Sequence, residues 1–101
     1  MILNTKEEFL KTINENKISI IYFFAQWCGP CKYFAPVYEQ TSAANSKINM
    51  NKIDIDELPE IAADYGILSI PTLIAFQNGK EIDRIIGVPS SLQNWINNVN
   101  V

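Results

Sequence analysis

Apolar residues recur along the chain with two periods, and the switches between them mark the elements. Thr5-Lys6-Glu7-Glu8 has capping-box spacing and predicts a helix whose stripe is Phe9, Leu10 and Ile13, ended by Asn16 and Lys17. Ile18 to Phe24 is β-branched and aromatic and too short for a helix, so it reads as a strand. It is apolar almost throughout, which predicts a central strand covered on both faces. A helix from about Cys31 to Ala44 follows, with Phe34, Val37, Tyr38 and Thr41 as its buried face and Pro36 as an expected kink. Ile48 to Ile55 alternates as a strand, and Pro59 opens a short helix carrying Ile61, Ala62 and Tyr65, closed by Gly66. Thr72 to Gln77 and Ile82 to Ile86 read as a hairpin turning at Asn78-Gly79. Ser90-x-x-Gln93 predicts the cap of a last helix with Leu92, Trp95, Ile96 and Val99 on one face.

The order of elements is taken as β-α-β-α-β-α-β-β-α, one strand more than the four runs just named. Strands joined through helices should run parallel with right-handed crossovers, and the final hairpin antiparallel. One mixed sheet with helices on both faces follows, an α/β architecture. No repeat, low-complexity tract or linker interrupts it, so residues 1–101 read as a single domain.

Composition changes this picture mainly by exclusion. With 48% hydrophobic and 19% charged residues the chain can bury a core. A formal charge of −3 without any Lys/Arg run argues against nucleic acid. The longest apolar run, Ile20 to Ala25, is far short of the ~20 residues of a membrane helix. Acids appear by Glu7, where a signal peptide would carry its apolar stretch, so a cytoplasmic protein without membrane association is expected. There is no histidine, which removes every mechanism built on a histidine base and the commonest zinc ligand.

The candidate chemistry lies in Trp27-Cys28-Gly29-Pro30-Cys31, where a strand ends and a helix begins. A cysteine at a helix N-terminus meets unpaired N–H groups and the positive end of the macrodipole, both of which favour thiolate. Cys31, one turn on, shares that face and can attack a mixed disulfide formed at Cys28. Gly29 is expected to permit the tight turn. Pro30 fixes φ and removes a donor that the helix start leaves idle. Lys32 adds a solvated positive charge. Half a zinc site is the competing use of such a pair, but neither a second pair nor a histidine supplies the other ligands, so no metal is expected. A purely structural disulfide fits the helix-start position poorly.

Together with Ile70-Pro71-Thr72 and the Phe76-Gln77-Asn78-Gly79 hairpin, the cysteine stretch resembles thioredoxin, in the family's order and spacing over essentially the whole chain. The resemblance implies the thioredoxin fold, a central mixed five-stranded sheet flanked by four helices. It implies a protein-disulfide reductase in which Cys28 is the nucleophile and Cys31 the buried resolving thiol. Pro71 would be a cis proline beside the pair, with Ile70 offering backbone groups to an extended substrate. Trp27, Ile55, Tyr65, Gly87 and Val88 would form or border an apolar docking surface, although for Tyr65 ordinary packing is the simpler expectation. No cofactor beyond the Cys28–Cys31 disulfide is implied. The implied partners are disulfide-containing client proteins and an NADPH-dependent thioredoxin reductase, with the chain acting as a monomer. An oxidase or isomerase on the same fold, or a docking module using the thiols only incidentally, are the alternatives.

Two positions depart from the family pattern. Thioredoxins usually carry a buried aspartate six residues before the first cysteine, where this chain has Tyr22, while the family's partner lysine survives as Lys52. Either Tyr22 fills core volume, or the loss of a buried negative charge stabilises both thiolates. In the second case Lys52 serves the dithiol or swings toward Asp54 or Asp56. Phe24 stands where many relatives have tryptophan, and it needs no partner for an indole N–H.

Overall fold

A computed structural model describes residues 1–100; Val101, the last residue of the expected domain, lies outside them. Four helices and four strands alternate: α1 (Lys6–Ile13), β1 (Ser19–Phe24), α2 (Gly29–Ala44), β2 (Asn49–Asp54), α3 (Pro59–Asp64), β3 (Thr72–Gln77), β4 (Lys80–Ile86) and α4 (Leu92–Val99). The sheet has order β2-β1-β3-β4, four strands rather than the expected five. Ahead of α1 only a parallel bridge forms, between Ile2 and Lys52. Only two residues separate Ile2 from Thr5, the N-cap of α1, so the chain turns into the helix before a ladder can grow.

Central β1 is buried through Phe23 because the sheet is covered on both sides. On one face Ile20, Tyr22, Leu73 and Ala75 pack against Cys31, Phe34 and Tyr38 of α2 and Leu92, Trp95 and Ile96 of α4. On the other, Ile21, Phe23, Ile53, Ile74 and Phe76 meet Phe9 and Ile13 of α1 and Ile61 of α3. Alternate residues of β1 therefore serve opposite cores, as the pleat requires.

β1 and β2 are parallel through α2, but β3 runs antiparallel to β1, against the expectation that every helix-linked pair is parallel. Six-residue α3 advances only ~9 Å against the ~20 Å of a six-residue strand, so the helix does not return the chain to the start of the sheet. β3 is entered from the same end at which β2 finished, through the cis peptide bond Ile70–Pro71.

Local detail differs from the sequence pattern at several points: α1 ends at Ile13, capped by Asn14, and α2 begins at Gly29. Leu10 is exposed because short α1 meets the sheet only through Phe9 and Ile13. Val37 flanks the Cys31, Phe34, Tyr38 stripe and is likewise exposed. β4 begins at Lys80, since left-handed Asn78 (φ 54°) and Gly79 (φ 81°) make a two-residue turn after which pairing resumes at once. The cap of α4 is Ser91, whose hydroxyl accepts the Asn94 N–H at 3.2 Å, and not Ser90. Helix α2 continues through Pro36 as one 16-residue element.

Candidate active site

The end of β1 and the start of α2 bring the two cysteines together. Cys28 is the N-cap of α2 with an extended backbone (φ −83°, ψ 111°), and Gly29 and Pro30 occupy the first turn. A disulfide joins Cys28 to Cys31, their Cα atoms 5.3 Å apart. The Cys31 N–H points at Cys28 Sγ across 3.2 Å, so one of the four orphan donors of the helix start faces the sulfur. Both cysteines are buried.

Gly29 needs no special conformation. It is helical, lacks a left-handed φ, and an added Cβ would meet nothing within 4 Å. The tight turn lies instead at Gln26 and Trp27, closed by the Cys28 N–H donating to the Ala25 carbonyl at 3.2 Å, and the helix has already begun at Gly29.

Against the disulfide lies the loop before β3. The Ile70 carbonyl oxygen is 3.9 Å from Cys28 Sγ. The cis Ile70–Pro71 bond is braced on both sides: the Thr72 hydroxyl donates to the Ser69 carbonyl at 2.6 Å, and the Gly87 N–H donates to the Pro71 carbonyl at 2.8 Å. Gly87 takes φ 88°, which only glycine adopts without strain, and leads to exposed Val88. Trp27 is 68% exposed, its indole N–H donating to Asp56 Oδ2 at 2.8 Å. A groove of about 690 Å³ begins at Gly29 and Pro30 and runs between Tyr33 and Val37 of α2 and Val88 and Leu92.

Tyr65 stands apart. It packs edge-on against Phe9 and Phe76 beneath the opposite face of the sheet. Ile55 is half-buried and touches both cores. Leu68, in the loop before Pro71, is 97% exposed and was not singled out from the sequence, where one leucine between helix and strand carries no signal. Asp56 carries no sequence signal as a partner of Trp27 because the pair is 29 residues apart.

Behind Cys31 the structure answers where Tyr22 and Lys52 go. The Tyr22 hydroxyl donates to the Cys31 carbonyl at 3.0 Å, and burial pushes its pKa up to about 12. Its ring stacks edge-on with Phe34 and tilts against Phe24 and Tyr38, so it does fill core volume. Lys52 reaches neither Asp54 nor Asp56 but pairs with Glu39 of α2 at 3.2 Å, with its ammonium 5.5 Å from the Phe24 ring centroid. The side chain of Asp54 accepts the Asp56 N–H instead.

A disulfide-forming cysteine pair capping a helix beside a cis-proline loop, on a mixed sheet covered by helices on both faces, defines a thioredoxin-fold dithiol–disulfide oxidoreductase. The sequence profile of the Thioredoxin family matches residues 1–98, and the chain belongs to that family. Thioredoxin of Malassezia sympodialis is 39% identical over 95 residues, 91% of this chain and 90% of that protein. Its crystal structure superposes with a TM-score of 0.92 over 99% of this chain and 92% of the other, at 37% identity. Thioredoxin of Chlamydia caviae is 51% identical over 69 residues, 68% of each chain. A structure concerning the thiol resolving mechanism of yeast mitochondrial 1-Cys peroxiredoxin via glutathione/thioredoxin systems matches at TM-score 0.88, 32% identity and 97% and 93% coverage. The chain is thus a disulfide reductase working by thiol–disulfide exchange at its vicinal cysteine pair. Among the described residues no helix is long and apolar enough to cross a membrane, and no three metal-ligating side chains gather.

Proposed function

We propose that Cys28 is the attacking thiol and Cys31 the resolving thiol of a single-domain protein-disulfide reductase. In the reduced protein the Cys28 thiolate attacks one client sulfur, and the other leaves as a thiolate that takes up a proton. Cys31 then gives up its proton and attacks Cys28 Sγ, forming the intramolecular disulfide and expelling the second client thiolate. Client and protein have exchanged two electrons and two protons, so the dithiol itself needs no metal or organic cofactor.

The observation that carries the assignment is the Cys31 N–H aimed at Cys28 Sγ from the first turn of α2. A helix-start donor set of this kind lowers a thiol from ~8.5 into the range ~3.5–7.5. The 3.9 Å approach of the Ile70 carbonyl to the same sulfur supports docking of an extended client segment along Ile70 and Pro71. Trp27, Gly87 and Val88 border that path, and Gly29 and Pro30 hold the helix start. The clients are disulfide-containing proteins, and an NADPH-dependent thioredoxin reductase restores the dithiol. We assign the working unit as a cytoplasmic monomer that carries electrons. One chain supplies dithiol, helix cap and Pro71 loop, and a reducing compartment keeps such a pair in the dithiol form.

Insulin reduction with NADPH and a thioredoxin reductase tests this reading. Wild type should turn over, Cys28→Ser should not, and Cys31→Ser should accumulate a client adduct at Cys28. An adduct at Cys31 in the Cys28→Ser protein, with turnover retained, would reverse the roles.

A further inference from the structure

Behind Cys31 a cavity of about 400 Å³ opens among β1, α2 and β2, within the ~300–1,000 Å³ range of small-ligand sites. Its aromatic wall is Tyr22 and Phe24, their ring centroids 5.6 Å apart and their planes tilted by 40°. Ala35 of α2 and Ile2, which bridges to β2 at Lys52, add further apolar surface. Two lysines line the cavity, Lys32 from α2 and Lys52 from β2, and among the described lining residues there is no carboxylate. Lys52 shares its charge with Glu39 at 3.2 Å, whereas among the described residues Lys32 pairs with no acid.

This make-up selects an occupant. Cations without a lining acid favour an anion. An inorganic anion would leave the two rings uncovered, whereas an aryl ring packs offset or edge-on against them. Tyr22 offers the ligand its ring and not its proton, which goes to the Cys31 carbonyl at 3.0 Å. Glu39, beside Lys52, repels a second negative charge, so a monoanion fits better than a phosphate ester or a dicarboxylate. The cavity also stands apart from the 690 Å³ groove that starts at Gly29 and Pro30. Lys32 and Ala35 line the one, Tyr33 and Val37 the other, since successive helical residues point about 100° apart. An occupant here leaves that groove open.

We propose that this cavity is a binding site for a small aryl monocarboxylate, its ring packed on Tyr22 and Phe24 and its carboxylate facing Lys32 and Lys52. Binding is non-covalent, involves neither sulfur, and is independent of which cysteine attacks a client.

The test is a titration of 2-naphthoate into the oxidised full-length protein, which carries the Cys28–Cys31 disulfide, followed by amide NMR shifts at low salt. The Gln26, Ala35 and Lys52 amides should shift and saturate. Lys32 is exposed, so Lys32→Gln should keep the fold and loosen Kd by about fivefold, as for loss of one exposed ion pair. Glu39→Gln, also exposed, should tighten Kd, because it removes the anion that offsets Lys52. Ala35→Leu should abolish the shifts by filling the cavity, while the rest of the spectrum reports an intact fold. The neutral isostere 2-naphthamide should bind more weakly than the acid. Shifts that never saturate, or that centre on Tyr33 and Val88, overturn the proposal. A Kd unchanged by Lys32→Gln, or an amide that binds as tightly as the acid, also overturns it.

Discussion

The indole N–H of Trp27 donates to Asp56 Oδ2 across 2.8 Å, fixing an exposed ring next to Cys28 to the turn that follows β2. An exposed aromatic would otherwise sample several rotamers, and a client would have to order it on binding. Asp56→Asn weakens the acceptor and Asp56→Ala removes it. For Asp56→Ala we expect KM for a protein disulfide to rise several-fold with kcat held, and a stability loss of no more than about 1 kcal/mol, as for an exposed hydrogen bond. Steady-state kinetics with parallel urea unfolding reads both.

Gly29→Ala should fold and stay as stable as wild type or gain about 0.5–1 kcal/mol. The glycine is helical and a Cβ there meets nothing within 4 Å, so alanine only restricts the unfolded chain. A loss above about 1 kcal/mol in denaturant unfolding would contradict this geometry.

Gly79→Ala should behave in the opposite way. Gly79 sits at φ 81° in the β3–β4 turn, and a Cβ would run into Asn14 Oδ1. Left-handed strain and the displaced side chain together should cost about 1–3 kcal/mol, seen as a lower urea midpoint with an unchanged slope.

Tyr22→Phe removes the hydroxyl donated to the Cys31 carbonyl while keeping the ring that packs on Phe34 and Tyr38. The expected cost is about 0.5–1.5 kcal/mol, with insulin turnover largely retained because the hydroxyl does not touch either sulfur. Tyr22→Asp puts a carboxylate in the cavity wall and should raise the Cys31 midpoint through like-charge repulsion with its thiolate. Titration of the reduced variants distinguishes the two effects.

Glu81 accepts from the Arg84 guanidinium through both carboxylate oxygens at 2.8 Å, which holds its pKa below the ordinary 4.5. A depressed folded value means a stabilisation fully present above about 4.5 and lost as pH falls through the folded value. Glu81→Gln should therefore lower stability near neutrality and leave it unchanged once the carboxylate is protonated in both states. Thermal unfolding of the two proteins between neutral and strongly acidic pH shows whether the difference closes. The pair is partly exposed, so the effect is small and shrinks with added salt.

Much of the architecture was legible because it depends on local spacing. The capping box Thr5–Glu8, the doubly covered run of β1, the Pro59 helix start and the Asn78-Gly79 turn are each set by neighbours within a few residues. The cysteine spacing alone places both sulfurs at one helix start, since i and i+3 share a face. Family resemblance added the cis Pro71, which no local pattern dictates.

What the tertiary structure decided involves contacts between distant segments or limits of length. The direction of β3 was settled by its antiparallel ladder with β1, and the missing fifth strand by the early start of α1. Asp56 met Trp27 from 29 residues away, and Glu39 rather than a neighbouring aspartate took Lys52. Side-chain periodicity records which face a residue occupies, but not which charge waits on the opposing element. For that reason the sequence by itself determined a dithiol at a helix N-terminus, and only the packing of β2 against α2 determined the cation behind it.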